Sequence, residues 1–330
     1  MRGRTPVIAV ALAVALAIAL GLLSPSLAQD QAYPSRPIRL LVSSAPGGNP
    51  DILGRLLAER MTQDFGKAVV VENVQGAGTA MVALTTAKAT PDGHTLMLGD
   101  TGNMAIIPAL NPAIGYDPVR DFTPITALAA VPTIFVANPQ LKAPTLSDFI
   151  ALAKKEPGKI TYGSGGVGSI HHLTMAIFAD QTGIDVLHVP YRAGTAMVNG
   201  LLTGEIQVAW SGIPNVLSGI ASGQLRSYCI SVLQRSPSAP AIPTCDELGI
   251  KGFDAAAVLG LYAPAGAPPH VVTRLAAEAA KIMREPAMTA RMDQLGMLMR
   301  ENGTASYIEF RKQDAERYAN IVHKLNLHVN

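Results

Sequence analysis

The sequence predicts an α/β protein whose parallel sheets carry helices on both faces. Two observations predict it. Short β-branched runs alternate with helical patterns along the chain, and a strand–glycine loop–helix unit occurs once in each half.

IRLLV (38–42) reads as the first strand, and SSAPGGNPD (43–51) as the loop after it. DILGRLLAERMTQDFG (51–66) then places Ile52, Leu53, Leu56, Leu57 and Met61 at helical spacing, and Gly66 stops the helix. AVVVE (68–72) and TLMLG (95–99) are the next strands. In the second half KITYG (159–163) is a strand, SGGVGS (164–169) a glycine loop, IHHLTMAIFADQTG (170–183) a helix and VLHVP (186–190) a strand. Gly47 precedes Gly66 by 19 residues, and Gly165 precedes Gly183 by 18. Residue identity between the two passages is poor, so the architecture repeats without showing a duplication. PPHVVTRLAAEAAKIM (268–283) and SYIEFRKQDAERYANIVHKL (306–325) read as C-terminal helices, and the methionines at 283, 288, 292, 297 and 299 as their core filling.

The two loops have a physical meaning. A helix N-terminus leaves backbone N–H groups unpaired at the positive end of the helix dipole. Glycines before it let the backbone curl toward a ligand with no Cβ in the way. Together they form an anion site made of main chain. In the first loop Asn49 is expected as N-cap and Pro50 as the first helical residue. The donors then fall to Gly47, Gly48, Asn49, Asp51 and the hydroxyls of Ser43 and Ser44. Two such loops facing each other would grip a carboxylate from both sides; the plainer reading is a pair of ordinary βα turns.

The N-terminus places Arg2 and Arg4 before the apolar run VIAVALAVALAIALGLL (7–23), then a Ser26-Leu27-Ala28 site. That pattern is a secretory signal peptide, 1–28, cut after Ala28, with an uncleaved anchor as the alternative. The chain has 26 basic and 24 acidic residues, and losing Arg2 and Arg4 makes it formally neutral. No basic excess remains for nucleic acid. Cys229 and Cys245 are the only cysteines, and in an exported chain they are either a disulfide or two buried thiols. Neither CxxC nor a Cys/His cluster offers a metal site. No cofactor is expected.

YPSRPIRLLV (33–42), APGGxxD (45–51), VVVEN…GAG (69–78) and PDGHTLMLG (91–99) resemble the Bug-type substrate-binding proteins of tripartite tricarboxylate transporters. So do YDPVRDFTPIT (116–126), PGKITYGSGGVGS.HH (157–172), HVPYR (188–192), RSP…IPT..ELG (235–249) and LYAPAGAPP (261–269), in order over the mature chain. The resemblance implies a two-lobed periplasmic-binding-protein (Venus flytrap) fold, each lobe a mostly parallel sheet flanked by helices. Lobe 1 is then 29–128 plus 253–330, and lobe 2 is 129–252. It further implies a periplasmic monomer that is not an enzyme. Such a protein would hold a small carboxylate between its two glycine loops and deliver it to a two-component membrane permease. The expected ligand contacts are Ser43, Ser44, Gly47, Gly48, Asn49, Asp51, Thr101, Ser164, Gly165, Gly168, Ser169, His171, Tyr191 and Ser211.

Departures from the family pattern bear on the ligand. Ser43-Ser44 stands where Pro-Phe or Pro-Tyr is usual, Trp210-Ser211-Gly212 where Phe-Asp-Asn is frequent, and Val258-Leu259-Gly260 where Trp-Phe-Gly is frequent. Lost rings at 44 and 258 would widen or reshape the cleft if both positions line it. A lost acid at 211 removes the partner for a ligand amine, which points to a carboxylate without one, bulky or aromatic.

Rival readings are specific. Gly163-Ser164-Gly165-Gly166-Val167-Gly168 fits GxGxxG, the dinucleotide fingerprint, yet no acid ends the next strand, where Tyr191 and Arg192 stand. An exported enzyme lacks a GxSxG, HExxH or P-loop motif, and a sensor for a two-component kinase would share the same binding site. His171 and His172 are adjacent on a helix, about 100° apart, so they cannot chelate one metal together; one of them near the loop is a ligand candidate. Trp210 is either core or a stacking wall for the ligand.

Overall fold

Strand β1 (Ile38–Val42) buries every residue except Arg39, because it lies inside a sheet covered on both faces. The computed structural model describes residues 33–44, 46–74, 79–191, 194–300 and 303–327; the expected signal peptide and Arg192 lie outside them. β1 pairs in parallel with β2 (Val69–Asn73) and β3 (Thr95–Asp100). Helix α1 (Asn49–Phe65) links the first two, with Leu53, Leu57 and Met61 buried at the expected spacing. Gly66 closes α1 in the left-handed conformation, its N–H bonded to Thr62 O.

The cap at the other end differs from the sequence reading. The helix begins at Asn49, so Gly48 is the N-cap, and Pro50 sits one position further in than expected. Ser44 Oγ accepts an N–H of the first turn, that of Asp51, as described below.

After α2 (Ala80–Ala87) and β3, a π-helical segment, Gly102–Ile106, runs into α3 (Ile107–Leu110). β4 (Phe122–Val131) then leads into β5 (Thr133–Ala137) in the second sheet. There α4 (Leu146–Lys155) starts with a capping box between Thr145 and Asp148. The second strand–loop–helix unit is β6 (Thr161–Ser164), α5 (Ile170–Thr182) and β7 (Leu187–Pro190). α6 (Gly194–Thr203), β8 (Val208–Gly212), α7 (Ile213–Ala221) and β9 (Arg226–Ile230) complete that half. The chain returns through β10 (Ala257–Pro264), α8 (Pro269–Met283), α9 (Pro286–Gln294), β11 (Leu298–Met299) and α10 (Gly303–Lys324).

The strand order is β11-β4-β10-β3-β1-β2 in one sheet and β7-β6-β8-β5-β9 in the other. β10 and β11 run against the direction of β1 in the first sheet, and β5 against β6 in the second. The remaining strands of each sheet share one direction, which the alternation predicts; the opposed strands are those that carry the chain between sheets or follow it back. Both sheets lie within one compact unit, Arg36–Asn330.

Two crossings connect the sheets, at Pro132 and along 231–256, and they are tied to each other. Thr133 N–H donates to Ser231 Oγ (2.9 Å), Ser231 N–H to Thr133 O (2.9 Å) and Ala255 N–H to Ser231 O (2.9 Å). Cys229 and Cys245 are joined by a disulfide that closes the start of the return crossing, with Cα atoms 5.1 Å apart. α10 bridges the halves a third time, through a Lys324–Asp180 ion pair to α5. Trp210 is core, not a ligand wall: it is fully buried, stacked on Phe135 (4.8 Å) and Phe253 (5.3 Å).

Candidate functional site

β1, β2 and β3 in one sheet, and β6, β7 and β8 in the other, end at loops that open helices or helical segments. In open α/β sheets ligands bind outside these carboxyl ends. The two glycine loops follow β1 and β6.

The first loop is organised by Asp51. Its carboxylate is 3% exposed, accepts Gly47 N–H (2.9 Å) through Oδ2, and accepts Arg55 Nε (2.9 Å) and Asn73 Nδ2 (2.8 Å) through Oδ1. The Arg55 guanidinium, helped by the Gly47 and Asn73 donors, holds its pKa down at about 2. Ser44 Oγ accepts Asp51 N–H (3.1 Å), and Asn73 also reaches Ser44 O (2.9 Å). Ser43 is buried and donates to Asp100 Oδ2 (3.1 Å). Asp100 is half-buried, desolvation raises its pKa, and its Oδ1 accepts Asn103 N–H at the start of the π-helical segment. Of the residues expected here, Ser43, Ser44, Gly47 and Asp51 therefore spend polar groups on the loop itself. The N–H groups of Gly48 and Asn49 have no intramolecular partner among the described residues. They project from the first turn of α1.

The second loop is organised differently. Ser169 caps α5, its Oγ accepting His172 N–H (3.3 Å), and its own N–H goes to Gly166 O (3.2 Å). Gly166 N–H bonds Ser164 Oγ (3.0 Å), and Gly168 N–H bonds His172 Nδ1 (3.1 Å). This leaves the N–H groups of Gly165, Val167, Ile170 and His171 unpaired among the described residues. Gly168 has φ +76°, and a Cβ there would stand 2.4 Å from Leu110 Cδ1 of α3. The loop's far end thus rests on the half of the chain that carries the first loop.

His171 lies beside this loop, with Nδ1 buried and without a hydrogen-bond partner among the described residues. Gly165 and Gly194 are its neighbours; a Cβ on either would be 3.5 Å from Nδ1 and 3.8 Å from Cε1, respectively. Burial lowers its pKa to about 4, so it is neutral at pH 7.

Three expected contacts are placed elsewhere by the fold. Thr101 is fully buried; its hydroxyl accepts Val258 N–H (2.9 Å) and donates to Asp314 Oδ2 (3.3 Å). It ties α10 to β10 instead of pointing out of a loop. Tyr191 lies across α6, where a Cβ on Gly200 would be 2.3 Å from its hydroxyl. Ser211 is fully buried on β8, its Oγ without a partner.

Sequence reasoning missed Asn73, Arg55, Asp100 and His188. His188 Nε2 lies 2.6 Å from Ser164 Oγ. That distance would suit a nucleophile and its base, but Ser164 is fully buried and its hydroxyl is also bonded to both polar groups of Gly166. The available signal was parallel pairing: a residue ending one strand meets the residue at the same level of the next, as Ser164 meets Pro190 and Tyr162 meets His188.

The sequence profile described as "Tripartite tricarboxylate transporter family receptor" matches residues 53–327. The chain belongs to this family. The receptor is 35% identical over 256 residues to BugT of Bordetella pertussis, covering 77% of this chain and 78% of BugT. Its fold is similar to the solved R. palustris Rpa4515 with adipate (TM-score 0.76, 26% identity, 90% of this chain and 99% of that one). It is also similar to MatC from Rhodopseudomonas palustris with bound malate (TM-score 0.72, 28% identity, 88% and 100%). The Bug-type resemblance and the two-lobed binding-protein fold are thereby confirmed, and receptors of this type are periplasmic.

Proposed function

We propose that this receptor captures a small dicarboxylate without an amino group in the periplasm and passes it to a two-component permease. The observation that carries the reading is the set of N–H groups unpaired among the described residues: Gly48 and Asn49 at the start of α1, Gly165 and Val167 on the second loop, and Ile170 and His171 in the first turn of α5. One carboxylate would sit on each helix end, where main-chain donors and the dipole favour negative charge without a lysine or arginine. Adipate and malate in the two similar structures are both dicarboxylates, which supports the class.

The lobes of this reading are 29–128 plus 253–330, and 129–252, hinged where Thr133 and Ser231 tie the crossings. Closure would be favoured by ligand contacts made only when both loops reach it. Export by cleavage after Ala28 and a monomeric state complete the proposal. No catalytic step is involved.

The test is thermal unfolding of residues 29–330 with adipate, malate, aromatic dicarboxylates, tricarboxylates, amino acids and NAD(P). A ligand at 100 times its Kd stabilises by about 2.7 kcal/mol. Ile170→Pro removes one free N–H at the first helical position, where proline's φ is acceptable. It should weaken a dicarboxylate about tenfold or more, the scale of a hydrogen bond to a charged group. Stabilisation by amino acids or NAD(P) alone, or an unchanged Kd in Ile170→Pro, would reject the reading.

A further inference from the structure

Both ends of the second glycine loop are held by one stack of rings. At the loop's end, Gly168 N–H donates to His172 Nδ1 (3.1 Å). At its start, Ser164 Oγ and His188 Nε2 share a 2.6 Å hydrogen bond. The two imidazoles lie face to face, centroids 4.2 Å apart and planes within 7°, with Tyr162 stacked on His188 at 4.9 Å. His172 is buried while His188 is half-buried, so the stack is anchored beneath the loop.

We propose that His172 is a positioning residue of the binding site: its bare Nδ1 holds the Gly168 end of the loop in the shape that presents the free N–H groups to the ligand. This rests on the reading of that loop as a carboxylate site. The chemistry is specific to one nitrogen. A donor N–H requires an acceptor, so His172 must be neutral with its proton on Nε2. Protonation puts an N–H on Nδ1, and two donors then face each other at Gly168. His188 is different, since Nε2 can either accept from Ser164 or donate to it, and either form keeps that bond.

The groups around His172 are known for each packed element. α5 contributes His171 and Asp180, β6 Tyr162, β7 His188, the 183–186 turn Asp185, and the end of α10 Lys324. Asp180, Asp185 and Lys324 line a cavity of about 570 Å³ together with His172, and Asp180 is already paired with Lys324. Among the described residues none of these hydrogen-bonds the His172 ring, so its acceptor serves Gly168. Burial, and then the neighbouring His188, lower the His172 pKa to about 4, which keeps the acceptor available near neutral pH.

Two variants separate acceptor from packing. His172→Asn places an amide oxygen near the position of Nδ1 and cannot titrate; His172→Phe keeps a ring in the stack and has no acceptor. Amide exchange at Gly168 in the ligand-free protein should accelerate in His172→Phe and remain near wild type in His172→Asn. The Kd for adipate, or for whichever panel dicarboxylate binds wild type, should rise tenfold or more in His172→Phe and stay within about threefold in His172→Asn. On acidification from pH 7 to 4, wild type should lose affinity faster than His172→Asn, because ligand protonation affects both equally. Equal exchange and equal Kd in His172→Phe and wild type would overturn the proposal. So would a His172→Asn variant as impaired as His172→Phe with its fold intact. If wild type binds no dicarboxylate, the functional reading fails separately, and Gly168 exchange still decides whether His172 braces the loop.

Discussion

Replacing Gly168 by alanine should cost this protein two separable penalties. The residue has φ +76°, where an L side chain is strained by about 1–2 kcal/mol. Its new Cβ would also lie 2.4 Å from Leu110 Cδ1, and Leu110 is only 5% exposed, so it has little room to withdraw. Overpacking of that kind costs about 1–3 kcal/mol. The expected total is about 2–5 kcal/mol, or roughly 2 °C of Tm per kcal/mol for a chain of this size. Gly47→Ala is the internal comparison: φ is +85° but no atom of the described residues lies within 4 Å of the new Cβ, so only the strain applies. The assay is chemical unfolding of the two single variants, Leu110→Ala, and the Gly168→Ala/Leu110→Ala double variant. Removing the leucine should relieve the clash and leave the strain, giving a favourable coupling of about 1–3 kcal/mol. A double variant additive to within about 0.5 kcal/mol would show that the loop does not rest on Leu110, and the contact between the halves would be refuted.

Two other outcomes follow from the same contacts. Asp51 has a folded pKa of about 2 against roughly 3.9 for a free aspartate. It therefore contributes stability above pH 4 that is lost as pH falls toward 2. Asp51→Asn should be about 2 kcal/mol less stable at pH 7, and the gap should close over that window in unfolding curves taken at stepped pH; a gap constant with pH would dissociate Asp51 from Arg55. Reducing Cys229–Cys245, which closes a 16-residue separation, should lower stability by about 3 kcal/mol in the chain-entropy model, read as a Tm drop of about 6 °C in Cys229→Ser/Cys245→Ser.

The parts of this fold legible in the sequence are those set by local periodicity. α1 follows its apolar spacing, and α1 and α5 stop at Gly66 and Gly183, both left-handed, as the sequence requires. β1, β2 and β3 appear within a residue of the runs that predict them. The reversed strands β5 and β10 carry no local mark, because direction in a sheet depends on where the chain crosses. The same limit applies to the loops: glycine spacing located them, but which groups stay free depends on partners far along the chain. Asn73 reaches across 22 residues to Asp51, and Ser43 across 57 to Asp100.

Those distant partners also explain why residue type alone does not separate ligand contacts from residues that brace the loop. Serine, threonine and aspartate beside a glycine loop can serve a ligand or the loop, and the deciding variable is whether another donor or acceptor already occupies them. Thr101 has Val258 and Asp314, and Asp51 has Gly47, Arg55 and Asn73. In the first loop the Asp51 carboxylate turns inward and fixes the backbone while its charge is met by Arg55. In the proposed reading, a ligand carboxylate arriving at Gly48 and Asn49 would meet helix-end donors without displacing an internal partner among the described residues. On the second loop, where no acid plays that part, the neutral His172 nitrogen fixes the backbone instead, adding no negative charge to repel an anion.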